Sequence, residues 1–296
     1  MKKRLQKLHF YAITAKRGGF VLHSRFRDDS FAFGHERRKP GEIKGISPQT
    51  HNAYEMILLN NCEVTYRAEE KSYQLKSNNL IFTPPGKLHS IRVDERWGYD
   101  RFNVLFDPKA VNAEVLRQIP KDLDVFVFEE DTTVLALFAK MEHYCRYFEG
   151  DALKTVLMDL VEQIIYELVI FIQKGKLKPT GHHTVNPTVA AAIDYVDKNL
   201  HREFSLDMLC QELFVSKSYL HQLFIRYLQV SPWRYIIGKR LMAAQLAIRA
   251  GERPTEIYSQ FGFSEYSSFY RAYHKQFGYA PSEENESHPI LESEFL

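Results

Sequence analysis

Cysteine is scarce. Cys62, Cys145 and Cys210 are the only three, they lie far apart, and no CxxC pair exists. Neither a zinc knuckle nor a disulfide framework is suggested, and a reducing interior fits best. Long apolar runs are missing as well. The most apolar stretch, residues 156–172, is interrupted by Asp159, Glu162, Gln163 and Glu167, which makes it an amphipathic helix and not a membrane span. Residues 1–8 are basic but lack the apolar core of a secretory signal. The expected location is the cytoplasm, with no membrane partner. No nucleophile–base pairing and no phosphate-binding loop stands out, so the expectation is a non-enzyme without a cofactor.

Net charge is small, +2 from 39 Lys and Arg against 37 Asp and Glu. Its distribution is more telling. Residues 187–282 carry 11 basic and 8 acidic side chains, whereas residues 283–296 carry five acids and no base. A mildly basic module is masked by an acidic tail beside it.

Residues 1–107 read as strands. Short apolar runs at 54–59, 63–66, 79–83, 88–93 and 102–106 are separated by turn residues such as Asn60-Asn61 and Pro84-Pro85-Gly86. Many short strands of this kind predict a sandwich or barrel. Helical spacing takes over near Pro108, with amphipathic helices at 132–149 and 152–174. In the second, Leu153, Leu157, Leu160, Ile164, Leu168 and Phe171 recur at steps of three and four, the period of one helix face. Residues 175–186 have the composition of a linker, and 187–282 read as all helix.

The helical region repeats itself with an offset of 49 residues: Ser218, Leu220, Phe224, Leu228 and Pro232 match Ser267, Phe269, Tyr273, Phe277 and Pro281. Each copy is a short helix, a tight turn and a longer helix. A joining helix at about 232–250, with Ile237, Leu241, Ala244 and Ile248 on one face, is expected to bind both copies into a common core. Ser205 and Ser216 are placed to cap helices, Pro254 to start one, and Gly262 to make a turn. The longer helix of the first copy buries Leu220, Leu223, Phe224 and Tyr227. It exposes Lys217, Ser218, His221, Gln222 and Arg226, side chains suited to phosphates and base edges. The second copy exposes Tyr266, Ser267, Tyr270 and Arg271. The plain alternative for either face is a solvated helix surface; two copies in tandem favour DNA.

Residues 187–282 resemble the DNA-binding domain of the AraC/XylS family. The matching residues are Leu206, Leu209, Val215-Ser216, Tyr219-Leu220, Leu223-Phe224, Ser231-Pro232, Tyr235-Ile236, Arg240-Leu241, Ala244, Glu256-Ile257, Gly262-Phe263, Ser267, Phe269, Arg271, Lys275, Phe277-Gly278 and Pro281. The resemblance implies two recognition helices on double-stranded DNA, with Ser218, His221, Gln222, Tyr266, Ser267 and Arg271 at base-contacting positions and Lys217 at a phosphate. Three departures stand out. Gln229 replaces a usual glycine, which should weaken a helix cap. Cys210 replaces a usual small alanine. Glu283-Glu284-Asn285 replaces an aromatic-arginine ending, and its acids would oppose DNA.

Gln49-Thr50-His51-Asn52-Ala53-Tyr54-Glu55 and Pro84-Pro85-Gly86-Lys87-Leu88-His89 resemble the two motifs of a cupin barrel. Gln49 stands where metal cupins have a first His, and Asn78 replaces a usual Gly. His51 and Glu55 are an even number apart, so one strand would point both the same way. The resemblance implies a small-molecule pocket, often for a sugar, built from Gln49, His51, Glu55 and His89, with His23 and Arg25 beside them and Phe10, Phe20 and Phe33 as further candidates. A three-ligand metal site at His51, Glu55 and His89 is the alternative, and ordinary hydrogen bonding inside the barrel the plainest reading. The family likeness also makes residues 108–174 a homodimerisation element, the plain alternative being that the helices at 132–174 pack on the barrel of their own chain.

The fold expected is therefore multidomain α and β: a cupin-like barrel with dimerisation helices, then an all-α domain with two helix-turn-helix motifs. The function implied is a ligand-responsive transcription regulator, most often an activator in the family. The alternative is a metal-dependent cupin enzyme with a helical appendage.

Overall fold

The computed structural model describes residues 21–28, 30–128, 133–177, 181–202, 204–284 and 293–294. The strands are β1 (Val21–Arg27), β2 (Phe31–Arg38), β3 (Gly45–Thr50), β4 (Tyr54–Leu59), β5 (Val64–Ala68), β6 (Lys71–Leu75), β7 (Asn79–Thr83), β8 (His89–Val93), β9 (Tyr99–Phe106), β10 (Val125–Val127), β11 (His182–Thr184) and β12 (Ser293–Glu294). They form two antiparallel sheets, ordered β1-β2-β9-β4-β7-β10 and β11-β6-β5-β8-β3-β12. The helices are α1 (Ala113–Leu116), α2 (Thr133–Tyr144), α3 (Gly150–Gln173), α4 (Pro187–Lys198), α5 (Leu206–Glu212), α6 (Lys217–Leu228), α7 (Pro232–Arg249), α8 (Pro254–Ile257) and α9 (Tyr266–Phe277). Among the described residues, no helix is long and apolar enough to cross a membrane.

Alternation along β4 explains the layers. Ile57 and Leu59 join Tyr66, Tyr73, Ile91 and Tyr99 between the sheets. Met56 and Leu58 face the other way, into a cluster with Phe82, Phe102, Phe126, Phe138, Leu157 and Ile164. The first sheet is thus covered on both faces, which is why β4 and β7 are near-continuous apolar runs and do not alternate with polar residues.

That second layer revises the expectation for the helix pair. All six residues of the α3 stripe, from Leu153 to Phe171, are buried against the barrel of their own chain. The α3 stripe that suggested a homodimer is thus buried within the monomer, while Tyr166 and Ile170 of the same helix stay exposed. The sheets also reach beyond residue 107. Val125–Val127 pairs with β7, and His182–Thr184, in the segment expected to be a linker, adds an edge strand to β6.

The helical region divides into two clusters. Tyr235 and Ile236 of α7 pack with Val196, Leu209, Leu220 and Phe224. Ile237, Leu241 and Ala244 pack with Ile257, Phe261, Phe269 and Tyr273. The joining helix therefore presents two faces to two cores; it does not gather both copies into one.

Candidate nucleic-acid interface and effector site

Each expected cap is in place. Ser205 Oγ accepts from Met208 N and Ser216 Oγ from Tyr219 N, both at 3.2 Å. Pro254 is the first residue of α8, and Gly262 ends the following turn at φ 72°. Gln229 adopts the left-handed conformation of the glycine it replaces, at φ 61°. The helix still closes there, since Gln229 N donates to Ile225 O at 3.2 Å.

Both candidate recognition helices have the predicted sidedness. In α6, Leu220, Leu223 and Phe224 are buried, the expected fourth member Tyr227 is only half-buried, and Lys217, Ser218, His221, Gln222 and Arg226 are exposed. Lys217 pairs with Asp207 across the turn at 2.6 Å. In α9, Phe269 and Tyr273 are buried, and Ser267, Tyr270 and Arg271 are exposed. Tyr266 departs from the expectation. It is half-buried, its ring against those of Tyr258 and Phe269, and so belongs in part to the core.

The acidic ending, expected to oppose DNA, behaves differently at Glu284, which turns inward. Its carboxylate accepts from Tyr279 Oη (2.7 Å), Gln245 Nε2 (2.9 Å), Arg249 Nε (2.8 Å) and the Tyr273 hydroxyl. Burial alone would push its pKa up; the hydrogen bonds from Tyr273, Tyr279 and Gln245 and the charge of Arg249 more than offset this and hold it below the ordinary carboxylate value.

In the barrel, Gln49, His51, Glu55 and His89 do converge. β3 pairs with β8 so that Gln49 lies opposite His89, and Glu55 lies near the start of β4 with its side chain toward them. His51, Glu55 and His89 are 1%, 0% and 2% exposed. Glu55 Oε2 lies 3.0 Å from His89 Nε2 and 3.5 Å from His51 Nε2. The other ring nitrogens face carbonyls: His51 Nδ1 to Ala53 O and His89 Nδ1 to Lys87 O, both at 3.0 Å. Gln49 Nε2 is 3.2 Å from His89 Nε2. Burial would raise the Glu55 pKa, but hydrogen bonds and charge from His51 and His89 outweigh it and lower the value well below normal. Phe33 does not join this group; it packs on the helix side of its sheet. Phe10 and Phe20 lie outside the described residues. His23 and Arg25 fall on β1, with their side chains likewise outside what is described.

Nothing in the sequence hints at what links barrel and helices. Glu69, in the turn after β5 at φ 51°, accepts from Tyr235 Oη at 3.0 Å and Lys239 Nζ at 2.9 Å. Lys239 also pairs with Asp197 at 2.9 Å. Asn52 Nδ2 donates to Gln245 Oε1 (2.5 Å) and Met242 O (3.2 Å). Leu88 inserts into the first helical cluster. Asn52 and Leu88 are the chain neighbours of His51 and His89, so the barrel's convergent side chains sit one residue from α7 and its cores. Contacts between residues so far apart in the chain leave no periodic signal in a sequence.

With this geometry in view, two family models match the chain: an AraC-like ligand-binding domain over residues 33–158 and a helix-turn-helix domain over 209–287. By domain content, the chain belongs to the AraC family. The HTH-type transcriptional regulator GbdR of Pseudomonas aeruginosa is 31% identical over 132 residues, 44% of this chain and 36% of that protein. The lactose operon transcription activator of Staphylococcus xylosus is 26% identical over 127 residues, 42% of this chain and 46% of that one. The matches thus span less than half the length of either relative. A crystal structure of ToxT from Vibrio cholerae aligns over 86% of this chain and 96% of its own, at 15% identity and a TM-score of 0.38.

Proposed function

We propose that this AraC-family chain is a sequence-specific, effector-responsive regulator of transcription that acts in the cytoplasm. The observation that carries the reading is the pair of exposed polar helix faces, Lys217, Ser218, His221 and Gln222 on α6 and Ser267 and Arg271 on α9, each backed by its own apolar core. An α-helix fits the major groove, and hydroxyl, amide, imidazole and guanidinium groups there read base edges. Tyr266 contributes mainly by orienting α9. The family reading favours a regulator over a cupin enzyme.

Effector control follows from contact. The AraC-like domain holds α7 through Glu69, Asn52 and Leu88, so a ligand that shifts the β3–β4 or β7–β8 segment changes the support of both recognition helices. A sugar finds little room among His51, Glu55 and His89, whose donor atoms all lie within 4.8 Å of one another. Homodimerisation, if it uses α3, falls to the face left exposed, which includes Tyr166 and Ile170.

The test is selection of binding sites from a random duplex pool with the full-length protein, followed by titration of the selected site. A recovered consensus, with affinity falling steeply as salt rises, is the expected result. Recovery of no consensus at low salt overturns the reading.

A further inference from the structure

We propose that His51, Glu55 and His89 form a site for one divalent transition-metal ion of the zinc type, and that this ion is an effector of the helical region. The inference deepens the regulator reading and, in its effector part, rests on it.

Three observations carry it. The first is the orientation of the rings. Each Nδ1 faces a backbone carbonyl, Ala53 O or Lys87 O, at 3.0 Å. A carbonyl only accepts, so each Nδ1 carries hydrogen, and whenever the ring is neutral its Nε2 presents a lone pair. Both Nε2 atoms point at the same carboxylate oxygen. A ring fixed from behind by a carbonyl, with its other nitrogen aimed at a shared point, is how proteins orient histidine toward a metal.

The second is spacing. Ligands about 2.0–2.1 Å from a tetrahedral zinc lie roughly 3.3 Å from one another. The Glu55 oxygen is 3.0 and 3.5 Å from the two Nε2 atoms, values on either side of that separation. A sugar needs these groups spread around it; a single ion needs them close.

The third is the polarity of a sealed place. Apart from the two facing imidazoles, the carboxylate of Glu55 has no hydrogen-bond partner, and the residue is shut off from solvent. A buried carboxylate needs positive charge beside it, which protonated imidazoles supply in the empty site and a bound cation supplies in their place. Two imidazoles and a carboxylate are the donor set that suits zinc, iron or cobalt and not calcium or magnesium. Gln49 sits beside His89, and because an amide presents its oxygen after a simple flip, it offers a neutral fourth donor where a water or small anion does not take that position.

The consequence for DNA follows from chain connectivity. The backbone beside His51 and His89 carries Asn52, bonded to α7, and Leu88, seated in the first helical cluster. Drawing the two imidazoles onto an ion sets the position of both contacts.

The experiment uses the full-length protein, stripped with chelator and titrated with Co2+ as a coloured probe. One equivalent per chain, with the visible ligand-field bands of a four- or five-coordinate ion, is expected. Glu55→Gln and His89→Gln should each weaken Co2+ binding by at least about a hundredfold. A variant lacking the exposed pair His182 and His183 should bind as the parent does. Should the core variants fail to fold, the parent alone decides: bands and a Co2+-dependent rise in melting temperature support the site, and their absence overturns it. Bands that survive Glu55→Gln, or vanish with His182 and His183, also overturn it. Fluorescence anisotropy on the selected duplex should show a severalfold change in affinity with Co2+, abolished by Asn52→Ala while the bands remain; an unchanged affinity overturns the effector role. A chain that selects DNA but takes no Co2+ sinks this inference alone. A chain that takes Co2+ but selects no DNA keeps the metal site and sinks the regulator reading.

Discussion

Arg240 Nη1 donates to Gly262 O at 3.1 Å, and its Nη2 reaches Arg202 O at 3.1 Å. One guanidinium, 2% exposed and stacked 4.6 Å from the Phe204 ring centroid, thereby ties the connection just ahead of the first unit to the turn of the second. A Cβ on Gly262 would lie 2.6 and 2.7 Å from Nη2 and Nη1, and φ is already 72°. Gly262→Ala should therefore combine left-handed strain with overpacking and lower stability by about 3 kcal/mol. Urea denaturation of the full-length protein measures it; a loss under about 1 kcal/mol would mean that Arg240 does not hold that turn.

This tie shows how far the sequence could be read. Gly262 is legible as a turn residue because its neighbours, Phe261 and Phe263, are apolar and a helix follows. The partner that makes it intolerant of any side chain is not, because Arg240 reads in sequence as one more charge on a helix. Glu284 is a similar case. Proximity to four other acids places it in a solvated tail, while the three-dimensional surroundings of Tyr273, Tyr279 and Arg249 give it an interior role. Periodicity exposes the buried faces of α6 and α9 and the barrel's alternating strands. It cannot say whether the stripe of α3 meets a barrel or a second chain, since both bury the same residues.

Base and phosphate contacts should separate by mutation. Arg271 is exposed on α9, with a long 3.4 Å contact to Ser268 Oγ. Arg271→Ala should relax preference at one or two bases by about 1–3 kcal/mol and leave other positions unchanged. Lys217→Ala should weaken all sequences alike and reduce the salt slope by about one. Competition between the selected duplex and single-base variants gives both readings. A uniform loss with Arg271→Ala would move that residue to the phosphate backbone.

Acid should loosen the second helix-turn-helix unit through Glu284. Its folded pKa lies below the ordinary value of 4.5. A carboxylate whose pKa is depressed on folding stabilises the folded state above its unfolded pKa, and that contribution is lost as pH falls through the folded value. Stability should thus be level near neutrality and decline below about pH 4.5. Glu284→Gln should lower stability at pH 7 by about 2 kcal/mol, through the loss of the charged hydrogen bonds to Arg249 and the two tyrosines, and should flatten the acid decline. Melting followed by circular dichroism from pH 7 to pH 3 tests this. An acid decline as steep in Glu284→Gln as in the parent assigns it to other carboxylates.

The link between the two regions can be measured as a coupling. Glu69 and Lys239 are both nearly enclosed, and their contact at 2.9 Å joins the barrel turn to α7. Removing one partner strands the other. Glu69→Gln leaves Lys239 with Asp197 alone, and Lys239→Met leaves Glu69 with the Tyr235 hydroxyl. Lys239→Met should cost about 2–4 kcal/mol, because the buried Glu69 then lacks its counterion, and Glu69→Gln should cost less, because Asp197 still faces Lys239. The double variant, which buries neither charge unpaired, should cost less than the sum by about 1–3 kcal/mol. Effector response should fall in all three variants, since a barrel that no longer grips α7 has less means of biasing the recognition helices. Additive stabilities would show that Glu69 and Lys239 do not act as a pair, and an undiminished response would leave Asn52 and Leu88 as the connection.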